Sequence, residues 1–206
     1  MAMVDFKTAQ AAIVEVGRWL DRKGWAPATA GNYSMRLDDG SFAVTVSGKH
    51  KGRLTPDDVM RVDRAGNALD AKKPSAETEL HLDLYARFPE CGAVLHSHSP
   101  EAVGLSRAFA DADSYPLAGH EMLKVLPRIA THDDSIVLPI VANSQDMADI
   151  ITAVAPALRV PAAIPAYLIR GHGLYGWGHD MAAAERVIEG LEWMIAAELA
   201  ERRFRA

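Results

Sequence analysis

Apolar positions along this chain switch repeatedly between a period near 3.6 and a period of 2, which marks an alternation of helices and strands. Over residues 6–23, Ile13, Val16, Trp19 and Leu20 recur at helical spacing, with Glu15, Arg18, Asp21 and Arg22 on the other side and Gly24 as a stop. Met35-Arg36-Leu37 and Phe42-Ala43-Val44-Thr45-Val46 flank the turn signal Asp38-Asp39-Gly40 and predict a hairpin. Thr55-Pro56-Asp57-Asp58 predicts a single helical turn with proline at its first position, and Met60-Arg61-Val62-Asp63 a short strand. Ser75-Ala76-Glu77 opens a helix to about Arg87, with Leu80, Leu84 and Phe88 on its core face. Ala93-Val94-Leu95 is a buried strand, followed by a helix over 100–109.

A Pro-containing linker then leads to Gly119-His120-Glu121-Met122-Leu123-Lys124. The apolar strand 136–141 contains Pro139, which predicts an edge strand or one ending near there. A helix over 145–154 follows, and Pro156, Pro161 and Pro165 lead into the strand Ala166-Tyr167-Leu168-Ile169. Leu174-Tyr175-Gly176-Trp177-Gly178 is its partner. The longest helix runs from Met181 to about Phe204 with Val187, Leu191, Met194, Ile195 and Leu199 as an apolar stripe. With no repeat, low-complexity tract or linker between halves, the expectation is one domain over residues 1–206. Its fold class is α/β: three αβα layers around a central mixed, largely antiparallel sheet.

At 206 residues the chain can bury one sizeable core. A net charge of −5 gives no whole-chain reason to expect nucleic acid or a membrane surface as partner, yet leaves room for a small anion held by local N–H groups. Cys91 is the only cysteine, which excludes an internal disulfide and a thiolate metal cluster, and it reads as a small core residue. No basic-then-apolar N-terminal run and no apolar stretch of about 20 residues occurs, so the expected compartment is the cytoplasm.

The chemistry-bearing stretch is Leu95-His96-Ser97-His98-Ser99-Pro100. Residues i and i+2 of a strand share a face, so His96 and His98 would project side by side from the end of a core strand. A second apolar strand runs through Arg170-Gly171 into His172-Gly173 and supplies a third imidazole. Three neutral ligands and an open position make the arrangement of a catalytic zinc rather than a closed structural one. Ser47-Gly48-Lys49-His50-Lys51-Gly52 is a credible anion loop, with an ordinary polar turn as the alternative. Glu77 sits where a helix dipole favours an anion, which by itself needs no catalytic explanation.

Taken together these motifs resemble the class II, zinc-dependent aldolase family over nearly the whole chain. The resemblance implies that Gly31-Asn32-Tyr33-Ser34, Ser47-Gly48 and Ser75 cradle a substrate phosphate through Asn32, Ser47, Gly48 and Ser75. Ala76 stands where the aldolases have a second serine, so one hydroxyl contact should be missing. It further implies one Zn²⁺ per subunit on His96, His98 and His172, and a homo-oligomer, with a tetramer favoured. Gly119–Lys124 and His172–Gly178 are similar to a dehydratase branch of methionine salvage, in which Glu121 matches the general acid/base. In sugar-phosphate aldolases the base matches Glu77 instead. The readings left open are dehydration of a ketose phosphate, retro-aldol cleavage of another sugar phosphate, and a non-catalytic binding or scaffold module of the same fold.

Overall fold

The computed structural model describes residues 4–160 and 164–205, so Pro161 lies outside the described residues. Eight strands build one sheet: β1 (Asn32–Arg36), β2 (Phe42–Thr45), β3 (Val59–Val62), β4 (Ala93–Ser97), β5 (Ser114–Ala118), β6 (Ser135–Val141), β7 (Ala166–Ile169) and β8 (Gly173–Gly178). Their order across the sheet is β3-β2-β1-β4-β8-β7-β6-β5, and every neighbouring pair is antiparallel except β6 with β7. The expected mixed, largely antiparallel sheet is therefore present.

Helices cover both faces. Apolar side chains of α1 (Phe6–Arg22), α3 (Pro100–Ala108) and α5 (Met181–Arg205) share one core with Tyr33, Leu95, Leu168 and Leu174. Those of α2 (Thr78–Arg87) and α4 (Met147–Leu158) share another with Val44, Val94, Tyr167 and Tyr175. Successive strand residues divide between the two cores, as the two-residue repeat of a pleated strand requires. Caps fix the helix starts: Thr8 N donates to Asp5 Oδ1 at 2.7 Å for α1, and Ala148 N to Asp146 Oδ1 at 2.9 Å for α4. No helix among the described residues is long and apolar enough to cross a membrane.

Four local expectations need correction. The Pro-containing linker before Gly119 holds the edge strand β5, in which Tyr115 and Leu117 face the core and Pro116 faces outward. Strand β6 lies inside that edge rather than forming it, and ends at Val141, two residues past Pro139, as the other alternative had it. Ile140 N donates to Asp113 O at 2.8 Å, so Pro139, opposite Ser114, occupies a non-hydrogen-bonded pair, and pairing with β7 begins only at Ile140. Pro156 falls inside α4 rather than after it. Finally, α2 starts at Thr78, leaving Ser75 in the preceding turn and Glu77 at the cap position, where it makes no capping hydrogen bond.

Candidate active site

The register Asn32↔His96↔Tyr175 across β1, β4 and β8 sets the floor of the site. His96 is fully buried with its ring stacked on Tyr175, centroids 4.1 Å apart. His172 occupies the turn between β7 and β8, where Gly171 takes a φ of +66°. The three rings of His96, His98 and His172 lie 4.4–4.9 Å apart centroid to centroid, and one nitrogen from each falls within 4.8 Å of the others. The sequence places His96 and His98 at one strand end and His172 at another, and the pairing of β4, β8 and β7 brings the two ends together.

The residues fit a cation. His96 Nδ1 donates to Leu174 O at 3.1 Å and His172 Nδ1 to Asn143 Oδ1 at 3.3 Å, which leaves both Nε2 lone pairs free. Those two Nε2 atoms stand 3.4 Å apart. Tetrahedral bonds of about 2.0–2.1 Å to one ion would separate two nitrogens by about 3.3–3.4 Å. Burial holds His96 well below the ordinary imidazole range, and burial with the neighbouring His172 lowers His98 to about 4. Neutral imidazoles are what a metal requires.

A carboxylate also reaches this cluster. Glu77 Oε2 lies 3.3 Å from His96 Nε2 and Oε1 3.4 Å from His172 Nε2, and the Tyr175 hydroxyl donates to Oε2. Its target is thus the imidazole pair, not its own helix. Burial pushes the Glu77 carboxyl up, but His96, His172 and the Tyr175 hydroxyl outweigh that and hold it below the usual carboxylate range.

Beside the histidines opens a cavity of about 150 Å³ lined by Asn32, Ser47, Gly48, Lys51, Ser75 and His98, among others. All four residues expected around a phosphate therefore line one cavity with His98, one of the three clustered histidines. Gly48 has a φ of +73° and open space where a Cβ would stand. Asn32 is oriented from behind: His81 Nε2 donates to Asn32 Oδ1, and Ser34 Oγ donates to His81 Nδ1 at 2.7 Å. Burial lowers His81 to about 4, so it stays a neutral relay in that chain. Ser34 thus supports Asn32 from the core.

Lys51 was expected only as a member of the anion loop, not as one of the four phosphate contacts. It is buried, and its Nζ donates to Thr29 O at 2.9 Å and Lys49 O at 2.6 Å. Burial lowers it to about 8, with Glu77 opposing the shift. Tyr175, Asn143 and His81 were unforeseen, because their roles depend on strand pairing and loop packing. Only the second lysine of the glycine-bounded loop carried a readable signal.

Glu121 stands apart. Its side chain is 72 % exposed, paired with Lys124 Nζ and 3.7 Å from His132 Nδ1. Strand β5 runs antiparallel to β4 and β7, so the segment leaving its C-terminal end starts from the sheet margin opposite the one carrying His96 and His172.

An α/β fold with three converging imidazoles beside a polar, glycine-containing cavity defines a class. The chain belongs to the class II aldolase and adducin N-terminal domain family, whose model matches residues 11–199. Among its relatives, the methylthioribulose-1-phosphate dehydratase of Methylococcus capsulatus is 47% identical over 194 residues, covering 94% of each chain. That of Pseudomonas savastanoi pv. phaseolicola is 49% identical over 191 residues, covering 92% of this chain and 93% of its own. The L-fuculose-1-phosphate aldolase of Thermus thermophilus superposes with a TM-score of 0.77 at 29% identity over 95% of both chains.

Proposed function

We propose that this chain is a hydro-lyase of methionine salvage that removes water from 5-methylthioribulose 1-phosphate to give 2,3-diketo-5-methylthiopentyl 1-phosphate. The observation that carries the reading is the placement of His98 in the wall of the cavity that also contains Asn32, Ser47, Gly48 and Ser75. Identity near 48% to dehydratases over nine-tenths of the chain supplies the substrate. The cytoplasm and a homotetramer are part of the same proposal.

His96, His98 and His172 would hold one Zn²⁺ per subunit, which supplies a Lewis acid for negative charge developing on the substrate's oxygens. The chain's own residues do the rest. Asn32, Ser47, Gly48 and Ser75 hold the phosphate, and Lys51, whose ammonium is met here by carbonyls and favoured by the charge of Glu77, adds positive charge beneath it. That grip fixes C2 and C3 beside the imidazoles, so binding energy far from the reacting bonds orients them. A base takes the C3 proton, hydroxide leaves C4, and the same proton completes the departing water. The enol that remains tautomerises to the diketone.

Glu121 is the proposed proton carrier, and because it follows β5 from the end of the sheet opposite His96 and His172, the proposal has it serve the site of a neighbouring copy. Glu77 is the carboxylate that each chain brings to its own imidazoles. A second reading, retro-aldol cleavage, draws support from that same Glu77 geometry and from the fold shared with an aldolase. Incubating the purified protein with the ketose phosphate and weighing the product separates the two. Dehydration leaves a diketone of unchanged carbon count, whereas two shorter carbonyl fragments would replace our reading with the aldolase one. Glu121→Gln is expected to lower turnover by about 10²-fold or more with substrate binding kept.

A further inference from the structure

Ser97 and Ser99 alternate with His96 and His98, so their side chains leave the same segment on the opposite face, toward α5. There Ser97 Oγ donates to Glu192 Oε1 at 2.6 Å, and Ser99 Oγ donates to Oε2 of the same carboxylate. Glu192 is only 1 % exposed, in the middle of the apolar stripe of α5. Burial pushes its carboxyl up to about 7, with the two serines opposing and Glu101 adding to the shift. A buried carboxylate is costly where an apolar residue would fill the core equally well.

The segment it grips is the one that needs holding. Strand β4 ends at Ser97, so His98 lies beyond the ladder that fixes His96. Ser99 Oγ also accepts from Ala102 N at 3.0 Å and caps α3, and His98 N donates to Trp25 O at 2.7 Å. Between these ties, Glu192 is the group that binds both sides of His98 at once.

We infer that Glu192 is a positioning residue of the metal centre: from the far face of the sheet it ties Ser97 and Ser99 to α5 and so sets where His98 presents its imidazole. The inference rests on the reading that His96, His98 and His172 hold a cation. Its test is titration of Co²⁺ alone into the metal-stripped full-length chain, followed by the visible bands of the ion and by chelator competition. Glu192→Ala, folded by circular dichroism, is expected to bind Co²⁺ about 10- to 100-fold more weakly and with shifted bands. Glu192→Gln, which offers one acceptor and one donor to the two serines, restores most of the affinity. A folded Glu192→Ala chain with the wild-type Kd and bands overturns the clamp. Should that variant not fold, Ser97→Ala decides, with weaker binding in support and unchanged binding against. Wild-type protein that takes up no Co²⁺ defeats the metal reading and the clamp with it, while equal uptake by wild type and variant defeats the clamp alone.

Discussion

Gly173 is where the two histidine segments touch. A Cβ there would stand 2.0 Å from the Ser97 carbonyl oxygen and 2.9 Å from His96 Cε1, so β8 can close on the end of β4 only without one. Gly173→Ala is expected to destabilise the chain by roughly 1–3 kcal/mol and to weaken zinc binding, because the relief of that overlap must move His96 or the turn that carries His172. Thermal melts with and without Zn²⁺ check both parts, and wild-type values in each would mean that the close approach does not matter. At this scale the pairing of His96 with His98 was legible because a strand's two-residue repeat needs no tertiary information, and His172 was legible as a third imidazole at the end of a second apolar strand. Glu77 was legible only as a carboxylate. Its reach to His96 depends on where the start of α2 packs, and its bond from Tyr175 on β4 pairing with β8, neither of which spacing along the chain encodes.

Elements read from the sequence in proportion to how much of their pattern is local. The outer helices announce themselves through capping residues and a 3.6-residue stripe, and α1 runs over nearly the expected span. The hairpin of β1 and β2 likewise forms around Asp38-Asp39-Gly40. Strand β5 was hidden because Pro116 interrupts a five-residue alternation whose outward face is open to solvent. The loop after β2 is the element whose chemistry remained ambiguous, and its Lys51 offers the sharpest test. A buried ammonium held by two carbonyls is suited to an incoming phosphate dianion. Replacing it by methionine should raise KM for the sugar phosphate by about 10- to 100-fold, equivalent to roughly 1.5–3 kcal/mol for one charge-assisted hydrogen bond. Steady-state kinetics should show kcat far less affected. An unchanged KM would return the loop to the ordinary polar turn.

At the scale of the whole molecule, strand order decides which residues can meet. The sequence places Glu121 after a Pro-containing linker, and the end of the sheet from which that segment leaves depends on the linker holding β5, the antiparallel margin beside β6. That topology separates Glu121 from the imidazoles of its own chain and turns the choice of acid/base into a question about assembly. If Glu121 serves a neighbour's site, chains bearing His96→Ala and chains bearing Glu121→Gln are each nearly inactive but complement one another. A hybrid interface then contains one site with three intact histidines from the second chain and Glu121 from the first. After random subunit exchange, about a quarter of sites are of this kind, so activity should recover toward a quarter of wild type. Native mass spectrometry establishes that exchange has occurred. Full exchange without recovered activity would put the proton carrier within a single chain, where Glu77 is the carboxylate already touching His96 and His172.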